Sequence, residues 1–206
     1  MKIPMPREDR SYTLKLAFKG DRNYLHGTDI IPALLEITGP VSNLSVQIYR
    51  MTSHFLVAQH VTASRLAELR KSRKLCALMS YEQPTCSQAV IAVTEDMSKK
   101  VMSSRPYDEA AVVQSATRSG NEIRQGASQT GTFFERVVAL NKRLLNELEG
   151  EFSWLFCGLE LAQVPVQSAP LSIAMASNIG RRMYKSTIAA NGTELGSIVF
   201  ARNPEN

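Results

Sequence analysis

Long apolar runs are missing from this 206-residue chain. No stretch approaches the roughly 20 residues that a membrane-spanning helix needs. The opening Met1-Lys2-Ile3-Pro4-Met5-Pro6 lacks the apolar segment of a secretory leader, so the cytoplasm is the expected location. Cysteine is sparse: Cys76, Cys86 and Cys157 are an odd, scattered set without metal-ligand spacing. That argues for reduced, mostly buried thiols rather than a disulfide framework. Histidine is equally scarce, with three residues. His54 and His60 would share a face of a regular strand, yet no third ligand stands near them in sequence, and no metal site is expected. Aromatic residues are not interleaved with the basic runs, as a single-strand nucleic-acid platform would require. The formal charge of +5 suits anionic partners but is too mild to imply nucleic acid.

What the chain does have is enough apolar residue, 44%, to fill a substantial core. It also has two basic clusters: Arg65, Arg70, Lys71, Arg73 and Lys74, then Arg181, Arg182 and Lys185. These read either as solvated faces or as contacts to the nucleotide phosphates of a carrier such as coenzyme A, or to an acidic carrier protein.

The organising stretch is Tyr24 to Ile37. Residues 30 to 37 are apolar almost all the way round, a pattern a helix tolerates only when most of its circumference is buried. Thr28 or Asp29 can cap its free N–H groups, Pro32 is expected in the first turn, and Gly39-Pro40 supplies a stop. His26 and Asp29 therefore flank the start of a buried helix, where N–H groups and the dipole favour developing negative charge.

Residues 1 to 10 read as a loose polar arm. Tyr12 to Lys19 alternates as a half-buried strand. Further strands are expected at Leu44–Ile48 continuing through Phe55–Val57, at Leu75–Tyr81 and at Ala89–Thr94, the last two joined by a turn at Glu82-Gln83-Pro84-Thr85. Thr62 to Lys74 fits a short helix or an extended hairpin. Residues 95 to 131 are polar, and their one apolar segment, Ala110–Val113, reads as a strand after a linker. Thr132 to Gly150 is the clearest helix, with a capping box at Thr132 and Glu135 and a stop at Gly150. Strands follow at Phe156–Leu161, Leu171–Ala176, Arg182–Ala189 and Leu195–Ala201, with turns at Asn178-Ile179-Gly180 and Asn191-Gly192.

The second half thus repeats the first. Ser72–Thr94 lies without a gap over Gly180–Arg202, matching Arg73 with Arg181 and Thr85 with Thr193, and His26-Gly27 falls on Gln125-Gly126. A repeat of about a hundred residues implies two copies of one small fold. The expected division is an arm at 1–10, a first repeat at 11–98, a linker at 99–109 and a second repeat at 110–206.

From Tyr12 to Arg202 this order of elements resembles the hot-dog superfamily. The fold class implied is α+β, a double hot-dog in which curled antiparallel β-sheets each wrap a central helix. The resemblance implies a thioesterase, dehydratase or hydratase acting on thioesters of coenzyme A or acyl carrier protein, with the carbonyl meeting the start of the central helix. On that pattern His26 takes the place of the family's histidine and Gly27 that of the following glycine. Asp29 and Glu36 stand where some members draw a helical carboxylate. Thr28 departs from a second glycine, and Gln125 replaces the histidine in the second half.

The candidate catalytic set is therefore His26, Asp29 and Glu36. The candidate substrate-binding set is Gly27, Thr28, Gln125, Ser128 and Gln129, the last two in the loop Gly126–Gly131, which lacks the lysine of a phosphate loop. No resident cofactor is required; coenzyme A or a phosphopantetheine arm would belong to the substrate. Acyl-CoA or acyl carrier protein is the expected partner, and a homodimer is compatible with the resemblance. The competing reading is a non-catalytic hot-dog protein that binds an acyl ligand or serves as an assembly subunit.

Overall fold

A computed structural model describes residues 10–84 and 86–203. Residues 1–9 of the expected arm at 1–10, Thr85 of the expected turn and the side chain of Cys86 lie outside the described residues. The chain divides into two compact units, Met1–Tyr107 and Asp108–Asn206. No helix among the described residues is long and apolar enough to cross a membrane.

The first unit runs β1 (Ser11–Leu14), β2 (Phe18–Lys19), α1 (Gly27–Thr38), β3 (Ser42–Ile48), β4 (His54–His60), α2 (Ala63–Lys71), β5 (Leu75–Gln83), β6 (Cys86–Lys100) and β7 (Ser104–Arg105). Five strands make an antiparallel sheet in the order β1-β4-β6-β5-β3. The short β2 and β7 pair in parallel, Phe18 beside Ser104 and Lys19 beside Arg105. The single strand expected over Tyr12–Lys19 is thus two. Leu14 ends the pairing with Leu56 of β4, and the chain then changes partner, which breaks the alternation.

Helix α1 begins one residue earlier than its expected caps. His26 is the N-cap, in extended conformation and without a side-chain cap bond. Thr28 and Asp29 fall inside the first turn, where other partners take their side chains. Pro32 is consequently the sixth helical residue, in the second turn, where it removes the N–H that would reach the Thr28 carbonyl. Ile30, Ile31 and Leu34 are buried, while Glu36 is exposed. Gly39 closes the helix at φ 73°, its N–H donating to Leu35 O at 2.8 Å.

Thr62–Lys74 resolves as a helix. The Thr62 hydroxyl accepts from Arg65 N at 3.3 Å, and Leu66 and Leu69 pack with Val61, Leu75, Leu78, Val90 and Ala92. That packing covers one face of β5 and β6. It explains why β5 is buried without interruption from Leu75 to Met79 instead of alternating.

The second unit runs α3 (Glu109–Val113), β8 (Thr117–Ser119), β9 (Glu122–Gln125), α4 (Phe133–Glu149), β10 (Trp154–Gln163), β11 (Leu171–Ile179), β12 (Met183–Ala190) and β13 (Thr193–Arg202). Its antiparallel order is β10-β13-β12-β11-β9-β8. Helix α4 packs on β9, β11 and α3 and is buried on every side from Phe133 to Asn141. Its capping box is formed: Thr132 N donates to Glu135 Oε2 at 2.7 Å, and Glu135 N donates to Thr132 Oγ1 at 3.2 Å.

The expected strand at Ala110–Val113 is instead α3. Asp108 caps it by accepting from Ala111 N at 3.0 Å, and its contact with α4 favours helix over the weak local preference. Residues 99–109, expected as linker, hold the end of β6, all of β7 and the first residue of α3. The turn expected over Asn178–Gly180 is shifted. Strand β11 continues to Ile179, and Gly180 (φ 58°) with Arg181 (φ 55°) makes the reversal. Asn191 (φ 52°) and Gly192 (φ 78°) turn β12 into β13 with the doubly positive φ of a tight hairpin. Arg73, which the ungapped overlay matches to Arg181, is likewise left-handed at φ 56°. The two arginines precede β5 and β12 by the same spacing.

Candidate functional site

Strand pairing and helix entry bring a polar group together at the front of α1. Lys19, on β2, is 1% exposed. Its ammonium donates to the Thr28 hydroxyl and stands 3.2 Å from Asp29 Oδ1. Arg105, which β7 places beside Lys19, reaches the same Asp29 oxygen at 2.7 Å. Asp29 Oδ2 is buried and has no hydrogen-bond partner among the described residues. Tyr107 carries both neighbouring cations over its ring, Lys19 Nζ at 4.9 Å and Arg22 at 5.3 Å from the centroid. One carboxylate is thus opposed by two cations at the positive end of a helix dipole, and the front of α1 is electropositive.

His26 joins this group through Thr28. Its Nδ1 lies 3.0 Å from Thr28 Oγ1, and its ring stacks on Tyr24 with centroids 6.1 Å apart. The Leu25 N–H donates to Thr52 O at 2.8 Å and so holds the approach to the helix. The Thr28 hydroxyl is the partner of Nδ1. For Nε2 to act as a base, Nδ1 must carry its proton and donate to Thr28 Oγ1, a lone pair that the oxygen can offer beside the one taken by Lys19. The His26 carbonyl accepts from Asp29 N at 2.9 Å and Ile30 N at 3.2 Å, which leaves the Gly27 and Thr28 N–H groups without an acceptor inside the helix. Two backbone donors, a buried ammonium and a histidine are the parts needed to polarise a carbonyl and move a proton.

Of the residues marked in the sequence, His26, Gly27, Thr28 and Asp29 meet here. Glu36 does not. It lies ten residues after the N-cap, about 15 Å along the axis at 1.5 Å per residue, and it is exposed. Gln125 is corrected as well: it ends β9 rather than preceding a helix, seven residues before the α4 cap Thr132. It is 3% exposed, and its polar atoms are used within the second unit. Its amide nitrogen donates to Val112 O at 2.6 Å, and its oxygen accepts from Arg136 Nε at 2.8 Å. Arg136, 0% exposed, also donates to Gln167 O and Gly126 O, so the pair braces the loop into α4. Ser128 accepts from Thr130 N at 3.1 Å within that loop, and Gln129 is exposed.

Lys19 and Arg105 escaped the sequence reading. Lys19 holds the outward phase of the alternating run that begins at Tyr12, and Arg105 sits in a stretch with no periodicity. Only the β2–β7 pairing makes them neighbours. Among the described residues no three histidine, cysteine or acidic side chains converge as metal ligands. Cys76 and Cys157 are free thiols, and burial raises the pKa of both.

No protein-family model matches the chain, and no curated protein does. Solved structures do. The chain is similar to the dehydratase domain of RzxB from Pseudomonas fluorescens at 14% identity and a TM-score of 0.46, over 92% of this chain and 93% of that one. It is similar to an acyl-ACP thioesterase from Bacteroides thetaiotaomicron at 11% identity and 0.43, over 94% and 96%. It is similar to the tesB protein of Mycobacterium avium subs paratuberculosis at 12% identity and 0.43, over 90% and 89%. Dehydratase and thioesterase are two of the three activities that the hot-dog resemblance implies. These likenesses assign no residue of this chain a role.

Proposed function

We propose that this protein is a cytoplasmic acyl-thioester enzyme of the thioesterase or dehydratase type, built as two hot-dog units, with its site at the front of α1. The observation that carries this reading is the contact of His26 Nδ1 with Thr28 Oγ1 at 3.0 Å, on a hydroxyl that a buried lysine also holds. The thioester carbonyl of an acyl-CoA or acyl carrier protein substrate meets the Gly27 and Thr28 N–H groups, which stabilise the oxyanion or enolate. His26 Nε2 takes the proton from water in hydrolysis, or from the carbon next to the carbonyl in dehydration. Lys19, Arg105 and Asp29 position Thr28 and keep the surroundings positive. A proton-moving group of this kind contributes about 10²–10⁴-fold in rate.

The second reading is a binding-only hot-dog protein. It is favoured by Asp29, whose Oδ1 is spent on two cations and is not bonded to His26. His26→Ala separates the two on a panel of acyl-CoA and acyl carrier protein thioesters. A drop of at least 100-fold in kcat with a near-normal melt supports the enzyme. Unchanged turnover removes His26 from the mechanism, and no turnover by the unaltered protein favours the binder.

A further inference from the structure

The hairpin between β11 and β12 has an uncovered end. From Ala176 through the turn to Met183 every residue is exposed. Ile179 and Met183 are directly paired across the two strands, so their side chains share a face, and they are 72% and 44% exposed. Register extends that row: Met183 pairs with Ala201 of β13, and Ala201 pairs with Leu155 of β10. Tyr184, next to Met183 in the chain, is 1% exposed, which puts the row on the side of the sheet turned away from the core. An apolar row therefore crosses four strands and ends at an exposed tip.

The tip is also cationic. Ala176–Met183 contains no acidic residue, and among the described residues neither Arg181 nor Arg182 has a carboxylate within ion-pair distance. Lys185, farther back on the same face, has Glu160 at 3.9 Å. Gly180 and Arg181 are the central residues of the turn, both at positive φ, and Arg182 N closes it by donating to Ile179 O at 3.0 Å. Such a turn favours glycine or asparagine at both places, as the Asn191-Gly192 turn shows. The backbone does not account for an arginine at 181, and its charge remains to be used. A second copy is a poor occupant, because facing the row with itself brings each arginine pair toward its twin. A globular acidic partner takes about 800 Å² per side, more than a hairpin tip offers. An anionic bilayer meets neither obstacle: its phosphates receive guanidinium groups, and its interface takes up apolar side chains.

We propose that the end of the β11–β12 hairpin docks on an anionic lipid surface, with Ile179 and Met183 entering the interface and Arg181 and Arg182 resting on lipid phosphates. Docking is read without turnover and is independent of the site at α1. The probe is phosphatidylcholine vesicles with and without phosphatidylglycerol, sedimented with the full-length protein at low and high salt. The expected result is binding to the phosphatidylglycerol vesicles alone, released by high salt. Arg181→Gly is expected to weaken binding about fivefold while the melting temperature holds or rises, because glycine suits that φ. Arg182→Gln is expected to cost about fivefold more. Ile179→Ser combined with Met183→Ser is expected to weaken binding about tenfold while leaving its salt dependence in place. No binding to phosphatidylglycerol vesicles, equal binding to neutral ones, or binding indifferent to the arginine or the serine variants would overturn the proposal. Soluble polyglutamate bound as tightly as the vesicles would overturn it in favour of an acidic protein partner. Dimerisation that Ile179→Ser abolishes would overturn it in favour of contact between copies.

Discussion

The ammonium of Lys19 stands 3.2 Å from the carboxylate of Asp29, with the lysine 1% and the aspartate 13% exposed. The two residues come from a two-residue strand and from the first turn of a helix. Their pairing joins those elements, and through the Thr28 hydroxyl it also reaches His26. A buried ion pair is weak support for net stability, but removing one partner leaves the other charged in a low-dielectric setting.

Lys19→Met therefore tests how far the front of α1 depends on this pair. The expected loss is about 3 kcal/mol, the low end for breaking a buried pair, because Arg105 stays on Asp29. Urea denaturation measures it. Combined with Asp29→Asn the losses should be clearly less than additive, and simple additivity would show that the contact does not couple the two groups.

Thr28→Val keeps the shape of the side chain and deletes the oxygen shared by Lys19 and His26. With the imidazole no longer held in one tautomer and position, kcat on an acyl thioester that the unaltered protein turns over should fall about 100-fold while KM changes little. An equal fall from a neutral surface substitution such as Glu194→Gln, at an exposed position of the second unit, would remove this explanation.

Gly196 tests the second unit. At φ 155° it sits on β13 beside β10, and a Cβ there would run into the Glu160 carbonyl, whose backbone cannot step aside. Gly196→Ala should cost about 2–3 kcal/mol, as overpacking and backbone strain together predict. A melting temperature within a degree of the parent would contradict the close approach of the two strands.

His60 predicts a pH effect. Its Nε2 lies 2.8 Å from the Tyr81 hydroxyl, and burial holds the imidazole below its ordinary 6.5. The folded chain thus binds this proton less readily than the unfolded one. The stability contributed by the neutral ring is complete above pH 6.5 and is lost as pH falls through the lower folded value. His60→Gln should flatten that part of the stability curve between pH 7 and pH 5, measured by urea midpoints. A slope identical to the parent would mean that other groups carry it.

Local signals carried the clearest elements. The Thr132–Glu135 capping box, the Asn191-Gly192 hairpin and the buried face of Ile30, Ile31 and Leu34 are properties of a few neighbouring residues. They survive because nothing in the tertiary packing opposes them. His26 beside a helix start was equally legible, since N-cap position and chain proximity are local. Glu36 was misplaced because helical spacing alone does not say which side meets solvent.

The rest was decided in three dimensions. Ala110–Val113 becomes helix because Asp108 caps it and α4 lies against it. Gln125 is absorbed by Arg136 because β9 delivers it to the interior of the second unit. Lys19 and Arg105 are 86 residues apart in the chain and become neighbours only through the pairing of β2 with β7. Sequence alone thus determined where α4 begins, where the hairpin turns and which histidine stands at a helix mouth, because each depends on dihedral preferences and hydrogen bonds within a few residues. Tertiary structure alone determined which charges surround that histidine, because Coulombic partners are chosen by distance in space, and burial decides whether water competes for them.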